Sequence, residues 1–381
     1  MGFTLSYIIK LFITVFISLI LTPFVKIFAV KIGAVDQPNK RRINTKAMPS
    51  AGGLAIYISF FISTLFMIRP TLNPEYTGYI VPILIASGII VITGLIDDVK
   101  EIKPWQKSVG ILLASLVIFF FTKSHFDTLS IPGILPMIKF DTWLSLPLTL
   151  LWIFALTNAV NLIDGLDGLA SGVSIIALTT IGIIGYFFLN VENVFIPITI
   201  FALVAAILGF FPYNYHPATI YLGDTGALLL GFLISVLSLQ GLKNATFVAV
   251  LTPMFILGVP ITDTVFAIIR RKLNNQPMTS PDKMHLHHRL LSLGFSHRAA
   301  VLTIYGLATV FSFIALLLNY AGHLGTILLI IASLLGIELF IELVGVLGEN
   351  RQPLLNTLKF VGNRGYRLQV LEKFNNRKHK E

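Results

Sequence analysis

The sequence predicts an all-α, polytopic membrane protein with about eleven transmembrane helices. Three observations carry this fold class. Only 12% of the 381 residues are charged, against about 25% in soluble domains. The mean hydropathy is +0.84. Apolar runs of roughly 18–25 residues, the length that crosses a bilayer as helix, recur along the chain. The alternating segments of about ten residues that build a membrane β-barrel are absent. There is no cysteine, which excludes disulfides, thiol chemistry and thiolate metal sites. The net charge of +10 fits cytoplasmic loops enriched in Lys and Arg, so no nucleic-acid partner is expected.

The first stretch, MGFTLSYIIKLFITVFISLILTPFVKIFAV, is too long for a signal-peptide core and has no small-residue cleavage site. It is expected to remain as the first transmembrane helix, over 5–29. Further apolar segments follow at 51–69, 79–96, 108–124, 145–162, 169–189, 194–211, 226–242, 246–269, 299–320 and 324–347. The link 320–323 is short enough for a tight turn between antiparallel helices. Residues 123–144 carry two short apolar pieces around Pro-Gly, which predicts a small external hairpin. Orientation follows from basic residues in alternate loops. The loops 30–50, 97–107, 163–168, 212–225 and 270–298 and the end 349–381 together hold 22 of the 28 Lys and Arg. They are expected to be cytoplasmic, with the N-terminus outside and the C-terminus inside. Residues 1–348 then form one transmembrane domain and 349–381 a basic cytoplasmic tail, suited to an anionic leaflet.

The polar residues left over gather in these cytoplasmic loops. TNAVNLIDGLDG, 157–168, ends an apolar segment with Asn158, Asn161, Asp164 and Asp167 at steps of three. Such steps keep side chains near one face of a helix. Amide and carboxylate oxygens there are the hard ligands Mg²⁺ takes; hydrogen bonding between helices is the structural alternative. Gly165 and Gly168 allow close backbone approach. Asp97 and Asp98 sit side by side at a helix end, where neighbouring carboxylates call for a cation or a shared proton; an ordinary charged flank is the structural alternative. Lys100, Lys103 and Lys107 follow. Asp224, in YLGDTG, precedes an apolar helix and is either its N-cap or part of a divalent cation site. His285, His287, His288 and Arg289 form a dense cluster better suited to phosphate than to zinc, with a solvated loop as the alternative. Lys46, Met48, Pro49, Gly52 and Gly53 resemble a nucleotide- or phosphate-approach loop, with positive-inside topology as the alternative source of the charge. Asp263 is expected to hydrogen-bond within the bundle or reach the interface, and Glu338 and Glu342 to pair with a neighbouring helix.

Acidic oxygens and basic side chains against hydrocarbon suit a reaction between a soluble phosphorylated substrate and a lipid one. A secondary transporter would place its polar residues near the bilayer midplane, often within inverted repeats, and no repeat is found.

The motifs DDVKEIKPWQK, NAVNLIDGLDG, YLGDTG and SPDKMHLHHRLL, in this order in alternate loops, resemble the polyprenyl-phosphate N-acetylhexosamine-1-phosphate transferases, glycosyltransferase family 4. The resemblance runs from residue 1 to about 345. HLHHRLL differs from the HHHFE of the muramoyl-pentapeptide branch and is similar to the branch that uses UDP-N-acetylglucosamine and primes teichoic acid or O-antigen glycans. It implies transfer of N-acetylglucosamine 1-phosphate to undecaprenyl phosphate, with release of UMP, in the cell membrane. The alternatives are another UDP-N-acetylhexosamine donor or UDP-MurNAc-pentapeptide. The resemblance implies Mg²⁺, with Mn²⁺ as a substitute, held by Asn161 and Asp224. It implies that Asp97 or Asp98 deprotonates or positions the lipid phosphate, or binds metal, with Asp224 in the catalytic set. Lys107 would contact phosphate, Asp167 would lie near the uracil, and His285, His287, His288 and Arg289 would hold the sugar diphosphate. Asn158 and Asp164 are assigned to substrate binding, with bracing of the helix end as the alternative. A homodimer is left open.

Overall fold

The computed structural model describes residues 5–37, 47–68, 74–122, 124–126, 128–131, 135–187, 195–240, 254–255, 257–273, 285–345 and 353–362. Among these the chain is helical, apart from two small antiparallel hairpins. The helices are α1 (Leu5–Ile32), α2 (Gly53–Ile62), α3 (Pro74–Lys100), α4 (Pro104–Phe121), α5 (Thr142–Ile163), α6 (Leu169–Phe187), α7 (Phe195–Asn214), α8 (Gly223–Gln240), α9 (Gly258–Leu273), α10 (Leu286–Ser292), α11 (His297–Leu318), α12 (His323–Val344) and α13 (Pro353–Gly362). α2 runs on as a π-helical segment over Ser63–Ile68. β1 (Val35–Asp36) pairs with β2 (Met48–Pro49), and β3 (Thr128–Ile131) with β4 (Leu135–Lys139).

Eight described helices are long and apolar enough to cross a bilayer, namely α1, α3 to α7, α11 and α12. The apolar stretches Gly53–Ile68 and Gly223–Leu239 are shorter. The predicted segment 246–269 lies partly outside the described residues, and from Gly258 onward it belongs to α9. The expected hairpin within 123–144 is present as β3 and β4, and the tight link at 320–323 joins α11 to α12. Of the predicted tail, 353–362 is described, as α13.

α8 is the central post. Leu228, Leu229, Leu230, Phe232, Leu233 and Ile234 are all fully buried. A helix that is apolar all round is one enclosed on every side, and α3, α5, α2 and α6 pack around this one. α1 is built the other way. It turns Thr14, Ser18 and Thr22 inward and leaves Phe12, Phe16 and Phe24 exposed. Ser18 Oγ donates to the Ala206 carbonyl on α7 at 2.6 Å, and Thr14 Oγ1 to Ser63 Oγ at 2.7 Å. Small residues at the contact and large apolar ones outward is the pattern of helices packed within lipid.

α3 runs through to Lys100, so Asp97 and Asp98 belong to its last turn. That turn meets the starts of α4 and α8 and the end of α5 at one end of the bundle. Ahead of α8, the stretch from Pro49 lies alongside Tyr221, whose N–H donates to the Pro49 carbonyl at 2.8 Å.

Candidate active site

A cleft of about 750 Å³ opens at this end of the bundle. Its walls carry Asp97, Asp98, Lys107, Asn161, Asp164, Asp167, Asp224, His287 and His288 from the predicted set. Residues far apart in sequence therefore converge on one space.

Asp97 and Asp98 are neighbours, yet they serve different partners, because successive helical residues point about 100° apart. Asp98 turns to α8. Its Oδ1 accepts from the Asp224 N–H at 2.9 Å and from Ser50 Oγ at 3.1 Å; its Oδ2 accepts from the Thr225 N–H at 3.0 Å and Thr225 Oγ1 at 2.5 Å. A carboxylate at a helix N-terminus satisfies its unpaired N–H groups and its dipole. The cap of α8 is thus Asp98, not Asp224, which frees the Asp224 side chain for the cleft. Gly94, one turn earlier on α3, lets the helix come this close. A Cβ there would lie 2.5 Å from Thr225 Cα.

Asp97 is buried and turns to the loop and α4. Its Oδ1 accepts from the Ile102 N–H at 2.8 Å, and its Oδ2 pairs with Lys107. The same ammonium lies 3.1 Å from Asp224 Oδ1, which also accepts from Asn161 Nδ2 at 2.6 Å. Asp224 thus ties α8 to α4 and α5 through Lys107 and Asn161, and Lys107 extends the tie to α3 through Asp97.

Asp164 follows the end of α5. Shielding from solvent, together with the carboxylates of Asp224, Asp98 and Asp167, holds its carboxyl well above the usual range. It accepts no hydrogen bond from the described residues. Asp97, Asp98, Asp164, Asp167 and Asp224, with Asp36 and Glu101 also in the lining, therefore face a cleft in which Lys107 is the one lining lysine or arginine among the described residues. Such a donor set calls for a divalent cation.

The histidine cluster divides. His287 and His288 line the cleft, and Gly165 gives His287 its room, since a Cβ there would lie 2.3 Å from Nε2. Burial and the nearby His288 push the His287 imidazole down to about 3, so it is neutral at pH 7. His285 turns away. Its Nδ1 meets Asp263 Oδ2 at 3.0 Å, and the Leu286 N–H donates to Asp263 Oδ1 at 2.9 Å. Arg289 donates from Nε to the Val344 carbonyl at 2.7 Å. His285 and Arg289 anchor α10 and do not line the cleft. Nor does Asn158, which donates to the Phe154 carbonyl one turn back at 2.8 Å. These three belong to the frame of the site because helix rotation aims them elsewhere.

Gly52 and Gly53 do not form a phosphate loop. Their N–H groups donate to the carbonyls of Tyr221 and Leu222, both at 3.0 Å, and Gly53 packs on the Gly226 backbone. Met48 lines the cleft, whereas Lys46 lies outside the described residues. Glu342 accepts from the Leu354 and Leu355 N–H groups and so caps α13. Sequence reasoning passed over Ser50, Thr225, His216 and His297. The latter two lie in YHPA and SHRA, where a single histidine carries no signal of its own.

A model described as "Glycosyl transferase family 4" matches residues 80–242, which include Asp97, Asp98, Asp164, Asp167 and Asp224. The Bacillus subtilis protein named "Probable undecaprenyl-phosphate N-acetylglucosaminyl 1-phosphate transferase" is 42% identical over 337 residues, covering 88% of this chain and 91% of its own length. The chain belongs to glycosyl transferase family 4. Among other family 4 relatives, a Mycolicibacterium smegmatis "Decaprenyl-phosphate N-acetylglucosaminephosphotransferase" is 35% identical, covering 74% of this chain and 75% of its own length. An Escherichia coli (strain K12) "Undecaprenyl-phosphate alpha-N-acetylglucosaminyl 1-phosphate transferase" is 28% identical, covering 87% of this chain and 88% of its own length. The family 4 match ends before α10, so the histidine helix, like Asp36 on β1, lies outside the matched region and completes the cleft.

Proposed function

We propose that the protein transfers N-acetylglucosamine 1-phosphate from UDP-N-acetylglucosamine to undecaprenyl phosphate, giving undecaprenyl-diphospho-N-acetylglucosamine and UMP. The observation that carries this is the meeting of Asp97, Lys107, Asn161 and Asp224 in one cleft at the end of apolar helices. The names of the family 4 relatives supply the substrate classes.

An oxygen of the lipid phosphate attacks the phosphorus that bears the sugar. The anhydride bond to UMP breaks as the new one forms. Phosphoryl transfer of this kind depends on positioning and charge neutralisation more than on covalent help from the protein. Asp224 and Asn161 would hold Mg²⁺, with Mn²⁺ as a substitute, and Asp164, ungripped by any described donor, faces the same space. When bound, the cation offsets the charge of the phosphates and of departing UMP. Lys107 sits between Asp97 and Asp224, within reach of a phosphate oxygen. Asp97 positions or deprotonates the lipid phosphate. Asp98 is occupied by four donors and acts by fixing Asp224. His287 and His288 face the donor's sugar diphosphate, with His287 as a neutral hydrogen-bond partner.

The reading places about eleven helices across the cell membrane, the active site on the cytoplasmic side and a basic tail on the inner leaflet. The 22 of 28 Lys and Arg in alternate loops support that orientation. The product would be the first lipid-linked intermediate of a surface glycan such as a teichoic acid. The test is UMP release by purified protein offered a panel of UDP-sugars. Release is expected with UDP-N-acetylglucosamine, and only with both polyprenyl phosphate and a divalent cation present. Turnover without the lipid acceptor would contradict the transfer.

A further inference from the structure

Asp167 is held by two histidines that the proposed chemistry does not use. His216 Nδ1 lies 2.7 Å from Asp167 Oδ2, and the Ala218 N–H donates to the same oxygen at 3.1 Å. From the other side, the Asp167 backbone N–H donates to His297 Nε2 at 3.0 Å. The two imidazoles stack, with ring centroids 4.1 Å apart and planes at 20°. His297 opens α11, and two turns further along Tyr305 donates its hydroxyl to the Gly168 carbonyl at 2.5 Å. One helix thus grips two consecutive residues of the 164–168 loop. Asp167, His216 and His297 all line the cleft.

We infer that His216 and His297 are positioning residues that hold Asp167 against a donor group of the nucleotide substrate. Each histidine does this through one particular nitrogen. A carboxylate only accepts, so His216 donates from Nδ1. His297 Nε2 accepts the Asp167 N–H, which puts its proton on Nδ1. The Asp167 Oδ1 edge is left to accept from a ligand N–H.

The same three side chains bring potential metal-ligand atoms within 4.8 Å of one another. Stacked rings, and a His297 lone pair already taken by a backbone N–H, favour the hydrogen-bonded clamp over a metal centre. The inference rests on the nucleotide-dependent reading of the site above.

Amide substitutions distinguish the two ring nitrogens. Asn places its amide near the Nδ1 position of histidine and Gln near the Nε2 position. His216→Asn keeps the donor to Asp167, whereas His216→Gln loses it. For His297 the pattern crosses, so His297→Gln keeps an acceptor for the Asp167 N–H and His297→Asn does not. Full-length protein is reconstituted in nanodiscs, and UMP release is measured against UDP-N-acetylglucosamine and against undecaprenyl phosphate. The expected result is a rise of about tenfold in KM for the UDP-sugar in His216→Gln and His297→Asn, the scale of one lost hydrogen bond. His216→Asn and His297→Gln should stay within about threefold of the parent, and KM for the lipid should not follow the pattern. A flat response, an uncrossed order, or equal changes in both KM values overturns the inference. So does activation by Zn²⁺, added at saturating Mg²⁺, that all four variants lose alike, since a metal centre needs both rings. Failure of the parent protein to turn over UDP-N-acetylglucosamine sinks the functional reading instead, which separates the two.

Discussion

Gly94→Ala tests how closely α3 must approach α8, with no change to any cleft side chain. The added Cβ would lie 2.5 Å from Thr225 Cα, 2.6 Å from Thr225 N and 2.7 Å from the Asp224 carbonyl carbon. Ordinary Cβ contacts begin near 3.4 Å, so the two helices must part by about 1 Å, since packed backbone has no rotamer with which to yield. That motion pulls Asp224 from the Asp98 cap and moves it relative to Asn161 and Lys107. A displacement of about 1 Å in a positioned group lowers turnover on the order of a hundredfold. The expected outcome is a fall of that size in kcat for UMP release, with KM for the UDP-sugar changed by less than about threefold. Gly78→Ala is the control on the same helix. Nothing lies within 4 Å of its Cβ, and Ala favours helix over Gly by up to about 1 kcal/mol, so its activity should match the parent. A Gly94→Ala enzyme within threefold of the parent would refute the reasoning, because α3 could then shift without disturbing the acidic cluster. A collapse of both variants would refute it too, by showing that α3 tolerates no added methyl anywhere.

Two other predictions concern charge. Asp224→Asn keeps the shape beside Asn161 but removes the charge facing Lys107. It should cut UMP release by about a thousandfold or more, the scale for losing a charged partner of the transition state, while the protein elutes from size exclusion like the parent; near-normal turnover would remove Asp224 from the site. His287 gives a pH dependence with a definite sign. Its pKa is about 3 when folded and about 6.5 when unfolded, so between those values the unfolded chain binds more protons. The stability this neutral histidine retains above pH 6.5 is lost as pH falls towards 3, by about 2 kcal/mol at pH 5. His287→Gln, which cannot titrate, should lose less thermal stability between pH 7 and pH 5 than the parent; an identical slope would show that the imidazole is not held neutral.

Much of the site was legible in the sequence because its chemistry is clustered. Asp97, Asp98, Asn161, Asp164 and Asp224 stand at the ends of apolar segments, where polar side chains are costly unless used. Partnership within the clusters was not legible. Asp97 and Asp98 differ by one residue, yet one faces a lysine and the other caps α8, and only the rotation and approach of α3 separate those roles. The histidine motif hid a similar split, since His285 and Arg289 answer to Asp263 and Val344 on other helices. His216 and His297 could not be picked out because neither is clustered and their common partner lies 49 and 130 residues away in the chain. Of the eleven segments expected from hydropathy, eight stand among the described residues as helices long and apolar enough to cross a bilayer, whereas α2 and α8 are apolar but brief.

The post-like burial of α8 has a consequence for how the cleft can respond to its substrates. Asp224 stands on the first turn of the most enclosed helix, so the acidic wall shares the stiffness of the core. The opposite wall hangs on α10, seven residues long, moored by the Asp263 and Val344 contacts. Local opening is easiest where few buried contacts resist it. The two walls are therefore unequal, an anvil set into the bundle and a light jaw beside it. A compound that grips the anvil meets the same surface whichever substrate is bound, whereas one that leans on the histidines must follow the jaw.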